Sequence, residues 1–230
     1  MSFDYHMPLS PLGENINCIT LTKDFFEKNE INPIKNTLTT NFLSFRGIPI
    51  QYMNQVHGKN LELISSHSLN PIESVDALFC SKSNLALAAL SADCMPIALS
   101  NSNGSEFAII HAGWKGLISG VIESSLSAFT NNHVNLSAWI GPSISKENYE
   151  VGSDLLDAFL QKDKSSLDSF TKKNSKKWLF NLQGEAERIL KKYNIKVQTC
   201  NVCTYESESL YSYRKHKTDN RLVTIIWRNT

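Results

Sequence analysis

The sequence has no excess of charge of either sign. It carries 23 Lys and Arg residues against 22 Asp and Glu residues, so its formal net charge is +1. Proteins that bind nucleic acid or anionic membranes through a broad basic patch usually have a clear surplus of cations. We therefore expect neither kind of partner, while a small local anion site remains compatible with the balance.

The sequence also lacks a long apolar run. No stretch approaches the ~18 continuous apolar residues that a membrane helix needs. The first ten residues do not place an apolar segment after a basic one, which is the pattern of a secretory signal. These absences predict a cytoplasmic protein. Its five cysteines are then expected to be thiols or metal ligands rather than disulfides.

Neither an internal repeat nor a linker rich in Pro, Gly and Ser divides the chain. The polar run 161–177 is the one linker-like stretch, and we interpret it as a solvated excursion between elements. A chain of 230 residues can build one large core. The sequence therefore predicts a single domain that spans residues 1–230.

Strand-like and helical patterns alternate irregularly along the chain. Strand-like runs cover 49–56, 61–64, 77–80, 85–90, 96–99, 107–111, 137–140, 195–200 and 222–227. Helical patterns begin at Asn32-Pro33, follow Gly113 through Phe129, and cover 154–160 and 183–193. Because no regular βαβ rhythm is present, we predict an α+β fold with antiparallel or mixed sheets.

Three short segments carry the chemistry. They are QVHG at 55–58, SADCMP at 91–96 and HAGWKG at 111–116, and each places a His or Cys at the end of an apolar strand beside a Gly or Pro. Two imidazoles and a thiolate suit zinc, and a catalytic zinc site leaves its fourth position open. We predict a metal site made by His57, Cys94 and His111. The alternative is that each residue simply packs in the core.

Two segments suggest an anion site. The turn from Gly113 to Gly116 opens a helix, whose first N–H groups favour an anion, and Lys115 adds a charge there. The loop 203–221 contributes Arg214, Lys215 and Arg221, which suit phosphate or carboxylate. A tight strand–helix turn and a solvated basic face explain the same residues equally well.

In combination and in this order, five segments resemble the YfiH family, also called the laccase-domain, polyphenol-oxidase or purine nucleoside phosphorylase family. The segments are QVHG (55–58), SADCMPIAL (91–99), HAGWKGLISGVI (111–122), IGPSISKENYEV (140–151) and CTYESESLYSYRKHKTDNR (203–221). The resemblance runs from about residue 47 to the C-terminus. It implies two mixed sheets sandwiched between helical layers and a metal site at His57, Cys94 and His111.

The resemblance implies two kinds of activity. One is zinc-associated phosphorolysis of adenosine, inosine and methylthioadenosine, with adenosine deamination; the other is copper-dependent oxidation of phenols. A role in peptidoglycan editing is also described for the family. The chain has Lys115 and Lys215 where the family usually has Arg, and a Lys lacks the bidentate fork. Lys35 and Arg46 are the candidates for a phosphate-contacting cation near the N-terminus.

Zinc is favoured over copper on two grounds. The axial Met of a blue-copper site would have to be Met95, which is adjacent to Cys94 and should point to the opposite face of a strand. A multicopper oxidase needs many histidines, and here three of the six, His6, His67 and His133, lie in polar surroundings. Cys200-x-x-Cys203 lacks a second such pair, so we expect no metal or redox role for it.

The favoured hypothesis is phosphorolysis of purine nucleosides with adenosine deamination. Lys115, Arg214 and Lys215 would fix phosphate, and Asp93 would act as a proton-transfer group, support a ligand, or merely cap a turn. The first alternative is a cysteine hydrolase or amidase with Cys94 as nucleophile and His111 as base, which fits peptidoglycan editing. The second is a non-enzymatic partner-binding domain.

Overall fold

The structure is a computed structural model that describes residues 4–130 and 135–229. Its strands are β1 (Tyr5–His6), β2 (Ile16–Leu21), β3 (Ser44–Phe45), β4 (Ile48–Gln51), β5 (Met53–Asn54), β6 (Leu61–Ile64), β7 (Ile72–Glu73), β8 (Ala77–Cys80), β9 (Ala86–Ser91), β10 (Met95–Asn101), β11 (Phe107–Ala112), β12 (Leu136–Ile140), β13 (Glu150–Gly152), β14 (Phe170–Lys172), β15 (Lys177–Phe180), β16 (Lys196–Thr199) and β17 (Leu222–Arg228). Its α-helices are α1 (Lys23–Lys28), α2 (Lys35–Asn41), α3 (Trp114–Ser119), α4 (Val121–Leu126), α5 (Ser153–Lys162), α6 (Leu182–Lys192) and α7 (Tyr213–His216). Short 3-10 helices cover Lys146–Asn148 and Lys164–Ser169.

Two six-stranded sheets form the body of the fold. In the first sheet the strand order is β1-β2-β17-β9-β4-β3, and in the second it is β16-β12-β10-β11-β8-β6. Most neighbours are antiparallel, but β4 and β9, β12 and β16, and β6 and β8 run parallel. The predicted α+β class with mixed sheets is confirmed.

Three apolar layers hold the sheets and helices together. Along β9, Leu87 and Ala89 face the second sheet, whereas Ala88 and Leu90 face the cluster that contains α1 and α2 residues. Alternate side chains of a strand point to opposite faces, so a strand buried on both sides is apolar throughout. The outer face of the second sheet packs on α3 to α6. The order of layers is therefore helix, sheet, sheet, helix, as the resemblance implied.

The structure differs from the sequence prediction in the polar run 161–177. Most of its side chains are exposed, as predicted, but the stretch contains a 3-10 helix and β14. Phe170 is buried, and its ring stacks on Phe180 with the centroids 4.4 Å apart. A single aromatic among lysines and serines gives no periodic pattern, so the sequence indicated the solvation of this run but not its secondary structure.

The helix expected to follow Gly113 is broken at Gly120, whose φ is +91°. Two short helices, α3 and α4, result, and both still bury their apolar face against the second sheet. The helix expected at Asn32-Pro33 begins at Lys35 instead, because the Asn32 Oδ1 accepts a hydrogen bond from Ile34 N in a turn. Within the described residues, no helix has the length and apolar character needed to cross a bilayer.

Candidate active site

A cavity of about 470 Å³ opens where the ends of several strands meet. Strand ends from both sheets reach it, as do the loops that follow β5 and β12 and the segment around α7. The lining residues are Lys35, Gln55, His57, Leu90, Ser91, Ala92, Asp93, Cys94, His111, Trp114, Ile144, Tyr149, Leu182, Tyr213, Arg214 and Arg221. The cavity thus holds most of the residues that the sequence marked as candidates.

His57, Cys94 and His111 converge in this cavity. Their ligand atoms lie within 4.8 Å of one another, and the two imidazole rings meet edge to face with centroids 4.8 Å apart. His111 is buried on β11, Cys94 is half-buried in the turn between β9 and β10, and His57 is exposed in the turn after β5. Residues 4–130 and 135–229 contain no other cluster of three His, Cys, Asp or Glu ligands this close together.

Gly113 leaves the space in which the cluster forms. A Cβ atom at this position would lie 2.9 Å from Cys94 Sγ and 3.4 Å from His57 Cδ2. Real Cβ atoms do not approach a sulfur so closely, and therefore any side chain here would displace a ligand. Gly113, at the start of the turn that suggested an anion site, therefore has a packing role.

Asp76, a residue that the sequence did not mark as a candidate, holds two of the cluster's residues in place. The carboxylate is fully buried and accepts hydrogen bonds from the backbone N–H groups of Val56 (3.2 Å), His57 (2.9 Å) and Gly58 (2.6 Å). It also lies 2.9 Å from His111 Nδ1. One carboxylate therefore fixes the turn that carries His57 and orients the ring of His111. The available signal was an Asp directly before the wholly apolar strand β8.

Cys94 and His111 favour each other's charged forms. Burial opposes charge on Cys94, but the charge of His111 and hydrogen bonds from both histidines outweigh it and lower the pKa of Cys94 to about 6. Burial likewise opposes charge on His111, but the Cys94 thiolate and Asp76 raise the pKa of His111 to about 9. Near neutral pH the sulfur is therefore a thiolate beside an imidazolium.

Asp93 is hydrogen-bonded to the loop 203–214, which forms part of the cavity wall. Its backbone has a φ of +94°, a conformation that L-residues rarely adopt. Its carboxylate accepts a hydrogen bond from Thr204 Oγ1 (2.6 Å) and another from the backbone N–H of Arg214 at the start of α7 (2.6 Å). Both carboxylate oxygens are thus engaged with the loop 203–214. This geometry favours the capping interpretation of Asp93 over proton transfer.

Three cations line the cavity. The guanidinium of Arg214 lies over the Tyr149 ring, 5.2 Å from its centroid. Arg221 Nη1 donates to the carbonyls of Thr218 (2.8 Å) and Asn220 (2.9 Å). Lys35 Nζ donates to the Asn54 side chain at 3.0 Å, and it is the N-terminal candidate that reaches the cavity.

The other predicted cations lie elsewhere. Lys115 is exposed, with its Nζ 5.6 Å from the Trp114 ring centroid, and it does not line the cavity. Lys215 pairs with Glu208 at 2.8 Å, also outside the lining. Arg46 lies over the Phe45 ring. Their placement in one phosphate site with Arg214 is not supported, because none of the three lines the cavity.

The other Met, Cys and His residues that the sequence analysis considered, and for which it expected no metal-binding role, lie outside the cavity lining where the structure describes them. Met95 is fully buried in the core between the second sheet and its helices, so it does not face the cavity. Cys203 is buried, and its sulfur accepts a hydrogen bond from Ser145 N at 3.2 Å. His6 and His67 are half-buried rather than exposed, and His67 Nε2 lies 3.2 Å from the Ile50 carbonyl. His133 lies outside the described residues.

Comparison with known proteins identifies the family. A family model described as multi-copper polyphenol oxidoreductase laccase matches residues 27–229. The chain is 33% identical over 178 residues to the purine nucleoside phosphorylase YfiH of Escherichia coli K12, covering 76% of this chain and 72% of that one. The chain belongs to the YfiH family. A purine nucleoside phosphorylase of Rickettsia conorii is 34% identical and covers 74% of this chain and 70% of its own length.

Solved structures agree with this membership of the YfiH family at the level of the fold. The Neisseria meningitidis protein NMB0706, described as family DUF152, superposes with a TM-score of 0.85 and 24% identity over 99% of this chain and all of that one. The YfiH protein of Bacillus licheniformis superposes with a TM-score of 0.78 and 18% identity over 99% of this chain and all of that one.

Proposed function

We propose that this protein is a zinc-dependent purine nucleoside phosphorylase that acts on adenosine, inosine and methylthioadenosine, with adenosine deamination as a companion activity. The observation that carries the proposal is the meeting of His57, Cys94 and His111 with Arg214 and Arg221 in one cavity of about 470 Å³. Cavities of this size enclose small-molecule substrates. The relatives named as purine nucleoside phosphorylases supply the reaction class.

The donor set fits zinc. Two imidazoles and one thiolate are three of its usual ligands, and three protein ligands leave one position for chemistry. Asp76 holds His111 by Nδ1, so Nε2 is the nitrogen available to a metal. A bound zinc ion would supply Lewis-acid polarisation. A copper oxidase is less well supported, since Met95 faces the core and the described residues hold a single ligand cluster.

In phosphorolysis, a phosphate oxygen forms a bond to C1′ of the ribose while the C1′–N9 bond breaks. The electron pair of that bond leaves with the purine, and the products are the free base and ribose 1-phosphate. The protein must hold a multiply charged anion against C1′. Arg214 and Arg221 are suited to this because a ring and two carbonyls respectively fix their side chains before substrate binds.

In deamination of adenosine, the oxygen of water forms a bond to C6 while the bond from C6 to the amino nitrogen breaks, and the products are inosine and ammonia. This reaction consumes no phosphate, so it does not need the two arginines to hold an anion. The two reactions should therefore respond differently when a cavity cation is removed. This difference provides the test of the proposal.

The experiment measures adenine and inosine formed from adenosine by the zinc-loaded protein across a phosphate titration. Arg214→Ala and Arg221→Ala should each slow phosphorolysis by roughly 10- to 150-fold, which corresponds to one charge-assisted hydrogen bond, and should lower the ratio of adenine to inosine. Lys115→Ala is the matched control, since it removes a cation that lies outside the cavity. A wild-type protein that forms no adenine at any phosphate concentration would refute the proposal.

A second candidate is an amide hydrolase with Cys94 as nucleophile and His111 as base, as in peptidoglycan editing. The thiolate–imidazolium pair of the metal-free site favours it, because a thiolate is the attacking form of a cysteine. Zinc separates the two candidates. Zinc bound to the sulfur should abolish amide hydrolysis, whereas it should be required for the proposed nucleoside chemistry.

A further inference from the structure

Tyr149 offers a phenolic hydroxyl to the cavity. The residue lies between the 3-10 helix Lys146–Asn148 and β13, is half-buried, and lines the cavity. Its hydroxyl makes no hydrogen bond to the described residues, yet it is not one of the fully buried oxygens without a partner. The hydroxyl therefore keeps accessible surface and can bond to a molecule in the cavity.

Two contacts fix the ring that carries this hydroxyl. The ring centroid lies 5.9 Å from that of Phe180, a fully buried residue of β15, and 5.2 Å from the guanidinium carbon of Arg214. The backbone is held to the same strand, because Phe180 N donates to the Tyr149 carbonyl at 3.0 Å. A donor on a ring held in this way has little freedom to lose when a ligand binds.

The charges that act on the hydroxyl show which groups are near it. Burial and the charge of Cys94 raise the pKa of Tyr149, the charge of Arg214 opposes this shift, and the charge of Asp93 adds to it. All three of these residues line the cavity. The hydroxyl is therefore close to the ligand cluster and to Arg214, and it remains a hydrogen-bond donor throughout the neutral range.

Arg214 has donors left for the same ligand. Its Nη1 donates to the Glu150 carbonyl at 3.3 Å, while Nε and Nη2 make no hydrogen bond to the described part of the chain. The guanidinium carbon lies 5.2 Å from the centre of the ring whose edge carries the hydroxyl. The two groups are thus near enough for one oxyanion to bridge them with charge-assisted bonds of about 2.8 Å.

A hydroxyl donor beside an arginine with unused donors suits a phosphate oxygen. The hydroxyl alone could equally serve a purine nitrogen or a ribose hydroxyl, but the adjacent guanidinium favours a charged acceptor. We propose that Tyr149 Oη and the Arg214 guanidinium donate hydrogen bonds to the same phosphate co-substrate. This inference rests on the proposed phosphorolysis and adds an uncharged donor to its anion site.

The test compares Tyr149→Phe with the wild-type protein. Phenylalanine keeps the ring that packs on Phe180 and contacts Arg214, so the substitution removes the hydroxyl alone. Losing a hydrogen bond to a charged oxygen should raise the KM for phosphate about 10-fold or more, while the KM for the nucleoside and the rate of deamination stay within about twofold. The second readout is the rise in Tm of zinc-loaded protein, without nucleoside, when inorganic phosphate is added. Tyr149→Phe should need a correspondingly higher phosphate concentration for the same rise.

Tyr211→Phe is the matched control. The ring of Tyr211 also packs on a phenylalanine, with its centroid 6.4 Å from that of Phe26, and a cation, Lys23 Nζ, lies 5.6 Å from its centroid. Its hydroxyl likewise makes no hydrogen bond to the described residues, but Tyr211 does not line the cavity. Tyr211→Phe should leave the KM for phosphate and the thermal response to phosphate at their wild-type values.

The outcomes separate the two proposals. An unchanged phosphate response of Tyr149→Phe, or a raised KM for the nucleoside alone, overturns the assignment of Tyr149 and leaves the phosphorylase proposal standing. Absence of phosphorolysis in the wild-type protein ends the phosphorylase proposal. In that case the thermal response to phosphate still decides Tyr149, since a weaker response in Tyr149→Phe than in Tyr211→Phe supports the anion contact and equal responses refute it.

Discussion

At the scale of single residues, Asp76 is the group on which the ligand geometry depends. It accepts hydrogen bonds from three consecutive backbone N–H groups and lies within hydrogen-bond distance of His111, and it does so while fully buried. Burial opposes its ionisation, but the bond to His111 and the N–H groups of Gly58 and His57 outweigh that effect and lower the pKa of Asp76. The carboxylate is therefore charged throughout the neutral range.

Asp76→Asn should weaken zinc binding by about 10- to 100-fold, the usual effect of removing a carboxylate that orients a metal-binding histidine. The amide also turns one acceptor into a donor that faces N–H groups, so the free energy of unfolding should fall by about 1–3 kcal/mol. Competition with a chromophoric chelator measures the first quantity, and denaturant unfolding measures the second.

Glu185→Gln is the control for Asp76→Asn. Glu185 is also a buried carboxylate, hydrogen-bonded to Ser166, Ser169 and Arg188, and it is not a lining residue of the cavity. It should lose stability and keep its zinc affinity. Equal zinc affinities in the wild type and Asp76→Asn would show that Asp76 has only a structural role.

Cys94 should show its lowered pKa in the metal-free protein. Alkylation by iodoacetamide should follow a titration centred near pH 6. An ordinary thiol titrates near pH 8.5. Cys200, whose pKa burial raises to about 11, should react slowly over the same range. Mass spectrometry of digests from pH 5 to 10 follows both residues, and a midpoint above pH 8 for Cys94 would contradict the ion pair.

The same ion pair has a defined effect on stability. The lowered pKa of Cys94 stabilises the native state, and this stabilisation is lost as the pH falls through about 6. The raised pKa of His111 also stabilises it, and this is lost as the pH rises through about 9. Between these limits Cys94 and His111 together bind nearly the same number of protons in the native state as in the unfolded state. The pair should therefore add almost no pH dependence there.

At the scale of elements, Asp93 controls the position of α7. Asp93→Ala removes the acceptor of Thr204 Oγ1 and of Arg214 N, and Ser212 then remains as the side-chain cap of the four-residue helix. Loss of about 1–2 kcal/mol of local stability should speed tryptic cleavage after Arg214 by about 5- to 30-fold. Asp219→Ala, which changes an exposed carboxylate of the same loop, is the control. Equal cleavage rates in both variants would show that Asp93 does not hold the loop.

The elements that the sequence predicted best are the strands of the second sheet. Strands β8, β10 and β11 are buried on both faces, so their apolar runs at 77–80, 96–99 and 107–111 stand out from the flanking turns. Sheet β13-β15-β14 escaped prediction because its strands have only three or four residues and few fully buried side chains. Strand lengths this short give no countable alternation.

The part of the site that is made of His and Cys residues could be predicted, because these residue types are rare in the sequence. His57, Cys94 and His111 stand at strand ends beside Gly or Pro, and that pattern located them. Asp76 was not predictable in this way, because an Asp before a strand is ordinarily a solvated turn residue. The side-chain direction of Lys115 depends on how α3 is rotated against the second sheet, and spacing along the sequence does not fix that rotation.

At the scale of the whole molecule, three apolar layers stabilise the fold. Cys94→Ala should remove zinc, which we expect at about one ion per chain in the wild type. The far-UV circular dichroism and cooperative unfolding of the metal-free protein should remain, because a core of this size does not need a metal for folding. Full zinc occupancy in Cys94→Ala would refute the ligand assignment, and an unfolded Cys94→Ala protein would indicate a structural metal.

The position of β17 has a consequence for synthesis of the chain on the ribosome. This strand lies between β2 and β9 in the first sheet and pairs with both, although about two hundred residues separate β2 from β17. When β2 has emerged from the ribosome, the edge of β2 that pairs with β17 in the native sheet has no partner. That partner becomes available only when residue 228 has left the exit tunnel. Unpaired apolar strands invite aggregation. We therefore expect chaperones to bind the emerging segment 16–21 throughout elongation and to release it only when β17 arrives.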